Sequence, residues 1–169
     1  CLCGDGDLME GVSYEAASLA GQYQLNNLIV LYDSNHVSLD SDTSLTFPDN
    51  IETRFTAMNW EVITTSDEVG SIDKALEKVK ENTKPTLIQV KTTIGKYAKD
   101  AGKNTIHGRK LTEEDLTSIK KEMNVRDIPF TVSSEALDEF RGMIQERNQN
   151  LYQEWYEKVN RLPEEEQKI

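Results

Sequence analysis

Leu28-Ile29-Val30-Leu31-Tyr32 is a continuous apolar run that gives way at once to polar Asp33-Ser34-Asn35. A strand with apolar side chains on both faces belongs inside a parallel sheet, covered above and below. Working outward, Cys1-Leu2-Cys3 reads as the end of a neighbouring strand, broken by Gly4-Asp5-Gly6. Glu61-Val62-Ile63-Thr64-Thr65 and the segment 86–94 are β-branched and apolar enough to be further strands. Between them, Met9, Val12, Ala16, Leu19, Ala20 and Tyr23 recur at helical spacing and predict a helix over about 8–23. Ile51, Phe55 and Met58 mark a short helix, and Ile72, Ala75, Leu76 and Val79 an amphipathic one over 71–82. Alternation of strand and helix at these spacings predicts an α/β fold: an open parallel sheet with helices on both faces.

The remainder is less regular. Residues 95–108 are polar, hold two glycines and show no hydrophobic period, so they read as a loop. Thr112-Glu113-Glu114-Asp115 resembles a capping box and should open a helix running to about Met123. From Ser133 a longer helix carries Leu137, Phe140, Ile144, Leu151, Trp155, Val159 and Leu162 on one stripe, expected to pack against the domain. Two regions follow: an α/β domain over 1–132, and a C-terminal helix and linker over 133–169. A start at Cys1 inside a strand, and a sheet of only four strands, point to an internal piece of a longer protein, truncated at its N-terminus.

With 169 residues the chain suffices for one α/β domain with a real core. Its net charge of −11 argues against nucleic acid, whose phosphates demand basic footing. No stretch approaches the ~20 apolar residues of a membrane helix. The two cysteines, one residue apart, make no disulfide framework and suit buried thiols in a reducing cytoplasm. Between Cys1 and Asn50 there is no Lys or Arg, against eight acidic residues. A phosphate bound there must be held by helix N-termini and a cation.

Gly4-Asp5-Gly6 stands where a strand ends and a helix begins, the crevice in which open α/β sheets bind ligands. The dinucleotide fingerprint fails at its third glycine, where Met9 stands, and there is no P-loop Gly-Lys-Ser/Thr. Asn35 lies at the carboxyl end of the adjacent strand. Asp5, the Asn35 amide oxygen and a backbone carbonyl near Val37 make a sparse all-oxygen set, the kind that holds Mg²⁺ when phosphate and water complete the octahedron. Ca²⁺ or Mn²⁺ are substitutes of the same donor class.

Gly4-Asp5-Gly6 with Asn35 after a hydrophobic strand resembles the thiamine diphosphate signature. The string from Gly4 to Gly21 resembles transketolases closely, and Leu31 to Asn35, Thr53-Arg54-Phe55, Trp60-Glu61-Val62, Lys91 to Gly95 and Ile106-His107-Gly108 follow that family in order and spacing. The similarity covers nearly the whole chain and weakens after about Leu111. It implies thiamine diphosphate as cofactor and transfer of a two-carbon ketol unit from a ketose phosphate to an aldose phosphate. It further implies a cytoplasmic homodimer of the pentose phosphate pathway. By position, the resemblance makes Asp5, Asn35 and the Val37 carbonyl metal ligands, and the Gly6 amide a diphosphate contact. Leu39 and Ile94 become apolar lining of the cofactor. Glu10 becomes a carboxylate of the dimer interface joining the two active sites, and His107 a contact to diphosphate and sugar. His36 falls where the family varies and reads as a surface residue. Where relatives often carry a second histidine, this sequence has Asn104. The groups that activate the aminopyrimidine and seat the sugar phosphate would lie elsewhere, so the piece alone is expected to be inactive. The rivals are another thiamine-dependent class, against which Leu8-Met9-Glu10-Gly11 speaks, and a non-catalytic module of the same fold, against which intact Asp5, Asn35 and His107 speak.

Overall fold

The computed structural model describes residues 1–126 and 128–167. They form two compact units, Cys1–Val125 and Arg126–Ile169. In the first, strands β1 (Leu2–Gly4), β2 (Ile29–Ser34), β3 (Glu61–Ser66) and β4 (Thr86–Lys91) make one parallel sheet in the order β1-β2-β4-β3. The chain passes from β2 out to β3 and returns to place β4 between them. That order sets the carboxyl ends of β1, β2 and β4 side by side, with Gly4 paired to Asp33 and Ser34 to Lys91.

β4 is the innermost strand, and Leu87 and Ile88 are wholly inaccessible. On one face, helices α2 (Gly11–Gln22) and α4 (Ile51–Ala57) bury Ala17, Ala20 and Phe55 with Trp60, Tyr32 and Leu87. Phe55 and Trp60 meet edge-on at 5.2 Å, and the Trp60 indole N–H donates to the Ala17 carbonyl at 2.8 Å. The partner matters, because a buried indole N–H left unpaired is costly. On the other face, α5 (Val69–Val79) lays Ala75 and Val79 over Ile88 and Val90.

The expected helix over 8–23 is two helices, α1 (Asp5–Met9) and α2, separated by extended Glu10 at φ −70°, ψ 134°. The Ser13 hydroxyl donates back to the Asp7 carbonyl across this break, satisfying a helix-end acceptor by side chain. α2 turns its small residues inward: Ala17, Ala20 and Gly21 are buried while Val12, Leu19 and Tyr23 are exposed. A β-carbon on Gly21 would lie 1.8 Å from the Met58 carbonyl oxygen, so only glycine permits this approach. The fourth strand ends at Lys91 rather than Ile94, and neither cysteine is buried outright.

A short α3 (Thr43–Thr46) follows the turn after β2, and α6 (Glu113–Glu122) opens on the expected Thr112 cap. In the second unit α7 (Ser134–Asn160) is capped by Ser133, and none of its residues is buried. Among the described residues no helix is long and apolar enough to cross a membrane.

Candidate functional site at the carboxyl ends of β1, β2 and β4

Asp5 is the first residue of α1, directly after β1, and only 4% exposed. Its carboxylate accepts from the Tyr32 hydroxyl at 2.6 Å and from the Asn35 backbone N–H at 3.2 Å. Tyr32 sits on β2 facing α1. Burial, and then the bond to Asp5, push its phenol above the ordinary tyrosine value, so it remains a donor. Burial and the nearby Asp7 likewise raise the Cys3 thiol to about 11, which keeps it protonated and unreactive at neutral pH.

The segment after β2 is a tight turn. The Asn35 side-chain oxygen accepts from the Val37 N–H at 3.0 Å, and His36 takes φ 62°. Val37 and Asp42 form an antiparallel bridge, Ser38 N–H donates to the Ser41 carbonyl at 2.8 Å, and Asp42 caps α3 through the Ser44 N–H. Val37 is buried, while Leu39 at the tip is 73% exposed. The turn after β4 is tied to β2 by the Thr92 hydroxyl on the Asp33 carboxylate and by the Thr92 N–H on the Ser34 carbonyl at 3.2 Å.

The third segment is the loop after β4. Ile94 begins it, and His107 is exposed just after a 3₁₀ turn over Asn104–Ile106. The Asn104 amide donates to the Asp40 carbonyl at 2.8 Å, joining this loop to the one bearing Val37 and Leu39. The structure brings some of the expected site residues together and leaves others apart. Asp5, Asn35 and Val37 are linked by hydrogen bonds, and Leu39 and His107 lie on two loops joined one bond away. Exposed Glu10 stands apart at the α1–α2 break, and the Gly6 N–H lies in the first turn of α1.

The donor set suits a hard divalent cation. Each Asp5 oxygen carries one hydrogen bond and keeps a further lone pair, as does the Asn35 oxygen, and all three are hard oxygen donors. Tyr32 and the Asn35 N–H hold the buried carboxylate in one orientation without exhausting it.

Beneath Asp5 a cavity of about 310 Å³ is lined by Tyr32, Ser34, Thr64, Gln89 and Lys91 among others. The Gln89 amide donates to the Ser34 hydroxyl at 3.0 Å inside it. The apolar reading of β2 and β4 passed over these polar groups. A tyrosine in a buried strand needs a partner for its hydroxyl, and that signal would have pointed from Tyr32 to a nearby acid.

The family described as "Transketolase, thiamine diphosphate binding domain" matches residues 1–168. The chain belongs to the transketolase family. It is 46% identical to the transketolase of Bacillus subtilis over 159 residues, which cover 91% of this chain and 24% of that one. Among solved structures, transketolase from Campylobacter jejuni superposes with a TM-score of 0.87 at 39% identity, covering 98% of this chain and 27% of that one. The transketolase of Pichia stipitis in complex with sedoheptulose-7-phosphate gives a TM-score of 0.86 at 34% identity over 94% of this chain and 24% of that one. The chain thus spans about a quarter of the length of these transketolases. Their likeness extends over the parallel sheet and the helical segment alike.

Proposed function

We propose that this chain forms the diphosphate-holding side of a transketolase active site, binding thiamine diphosphate through a divalent metal. The observation that carries the reading is Asp5, a buried carboxylate at the end of β1, bonded to the Asn35 N–H at the end of β2. Asp5, the Asn35 amide oxygen and the Val37 carbonyl are the metal ligands, with Mg²⁺ the expected ion and Ca²⁺ or Mn²⁺ substitutes. The acidic segment before Asn50 offers no Lys or Arg. The cation therefore offsets the repulsion that a diphosphate would otherwise meet, and the α1 N–H groups near Gly6 add donors. Leu39 and Ile94 shield the cofactor from water, and His107 donates to diphosphate and sugar oxygens. Glu10 joins a second copy of the chain in a homodimer.

When bound, thiamine diphosphate supplies the electron sink for cleaving a carbon–carbon bond beside a carbonyl. The residues of this chain anchor and orient it. The substrates are a ketose phosphate donor and an aldose phosphate acceptor, exchanging a two-carbon ketol unit in the cytoplasm as in the pentose phosphate pathway. The Pichia relative, described in complex with a ketose phosphate, supports that substrate class. The test is Asp5→Ala in the full-length protein, titrated calorimetrically with thiamine diphosphate at saturating Mg²⁺. Affinity should fall by at least ~2 kcal/mol, the cost of removing a charge-assisted contact. Wild-type affinity would sink the assignment.

A further inference from the structure

The loop after β4 is a compact piece of chain with its own internal bonds. The Gly102 N–H donates to the Ile94 carbonyl and the Ala98 N–H to the Gly95 carbonyl, each at 2.9 Å. Ile106 is buried over Gly95, which takes φ +61° and has no room for a β-carbon: the Ile106 side chain would lie 2.1 Å away. Groups from Lys99, Arg109 and Thr112 gather on Asp115, which is 3% exposed. The Asp115 carboxylate accepts from the Lys99 backbone N–H at 3.1 Å and from the Arg109 guanidinium at 3.1 Å. It also accepts from the Thr112 backbone N–H at 3.0 Å and the Thr112 hydroxyl at 2.8 Å. The N–H donors, Thr112 foremost and then Lys99, hold the carboxyl below the ordinary aspartate range, so it is ionised at every working pH.

A capping box needs only the bonds between Asp115 and Thr112. Lys99 and Arg109 are additional, and they bracket the turn that carries His107. His107 itself has little to fix it. It is exposed, its imidazole makes no hydrogen bond among the described residues, and its backbone N–H reaches only the Asn104 carbonyl at 2.9 Å. Its position is inherited from the turn, which Asp115 grips through Lys99 and Arg109.

We propose that Asp115 is a positioning residue for His107, clasping Lys99 and Arg109 on either side of its turn so that the imidazole is presented to the diphosphate and sugar. This rests on the reading of His107 given above. A reactive contact displaced by about 1 Å can cost ~10²-fold in rate, so loosening the clasp acts on turnover more than on anchoring.

The test uses the full-length protein with Asp115→Asn, Arg109→Gln, Thr112→Val and His107→Ala, and each of the first two combined with the last. Asp115→Asn keeps the size and removes the charge. Arg109→Gln opens the clasp from a solvent-facing side chain, and it carries the test should Asp115→Asn not fold. Thr112→Val removes the capping hydroxyl alone. Asp115→Asn and Arg109→Gln should each lower kcat roughly tenfold with cofactor affinity within about twofold. In the cofactor-free protein they should speed hydrogen exchange across 95–108. Thr112→Val should do neither. If Asp115 acts through His107, Asp115→Asn costs nothing further in the His107→Ala background, because effects coupled through a shared backbone shift are not additive. Three results overturn the proposal while leaving the reading of His107 intact: an equal loss in both backgrounds, a loss with Thr112→Val as large as with Asp115→Asn, or no change in kcat or exchange. Wild-type turnover in His107→Ala overturns the reading of His107 and this proposal with it.

Discussion

A single carboxylate, Asp5, organises the site because β1 and β2 end in register and leave it between a phenol and a backbone N–H. Tyr32 gives this contact a titration signature. An acid whose pKa is raised in the fold stays neutral there after the unfolded chain has ionised, so the fold loses stability as pH rises. For Cys3 the loss starts near its ordinary value of 9.0, and for Tyr32 near 10.0. Urea midpoints should therefore decline between pH 9 and pH 11, and Tyr32→Phe should flatten the upper part of that decline. An identical slope in Tyr32→Phe would mean that the phenol is not buried and bonded to Asp5 as described. His107 belongs to a different class of residue, exposed and, among the described residues, without a side-chain hydrogen bond. His107→Ala should lower ketol-transfer kcat by ~10²-fold, the usual worth of a positioned acid–base or polarising group, with cofactor affinity little changed. Steady-state turnover equal to wild type would demote it to a loop residue.

The elements were legible in proportion to how strongly burial imposed a period on them. β2 and β4 are covered on both faces, and their apolar runs announced them. The helix over 8–23 misled because Met9, Val12, Leu19 and Tyr23 keep helical spacing, yet the space beside Met58 and Trp60 admits only small residues. The inward face is therefore Ala17, Ala20 and Gly21. Glu10 breaks that helix through a backbone turn, which leaves no mark in hydrophobic spacing. Asp5 and Asn35 were readable from strand ends, whereas Asn104 on Asp40 and Asp115 on Lys99 join residues distant in sequence with no periodic signal. Gly21 gives the element scale its test. Alanine is favoured over glycine inside a helix by about 1 kcal/mol. A backbone oxygen at 1.8 Å cannot yield as a flexible side chain would. Overpacking of ~2–3 kcal/mol should prevail, so Gly21→Ala should lower unfolding stability by ~1–2 kcal/mol in urea. A stabilised Gly21→Ala would show that α2 does not approach Met58 so closely.

At the scale of the whole molecule, the proposed function separates anchoring from chemistry. The α/β unit carries an oxygen donor set at the carboxyl ends of β1 and β2, and a loop presenting His107 beyond β4. Nothing among its described residues forms a second sheet, and the chain spans only 24% of the Bacillus transketolase it resembles. On the reading proposed above, the named residues anchor the cofactor, and none of them is assigned to hold its reacting ring. Anchoring a cofactor at one end restricts where it is but not how its ring is aimed, and orientation accounts for a large part of the barrier, up to roughly 7–11 kcal/mol in well-placed intramolecular reactions. The 169-residue chain assayed alone with Mg²⁺ and thiamine diphosphate should therefore show no ketol transfer in a coupled assay, even at cofactor concentrations that saturate the full-length protein. Turnover comparable to the full-length protein's would place the orienting groups inside this chain and overturn the division.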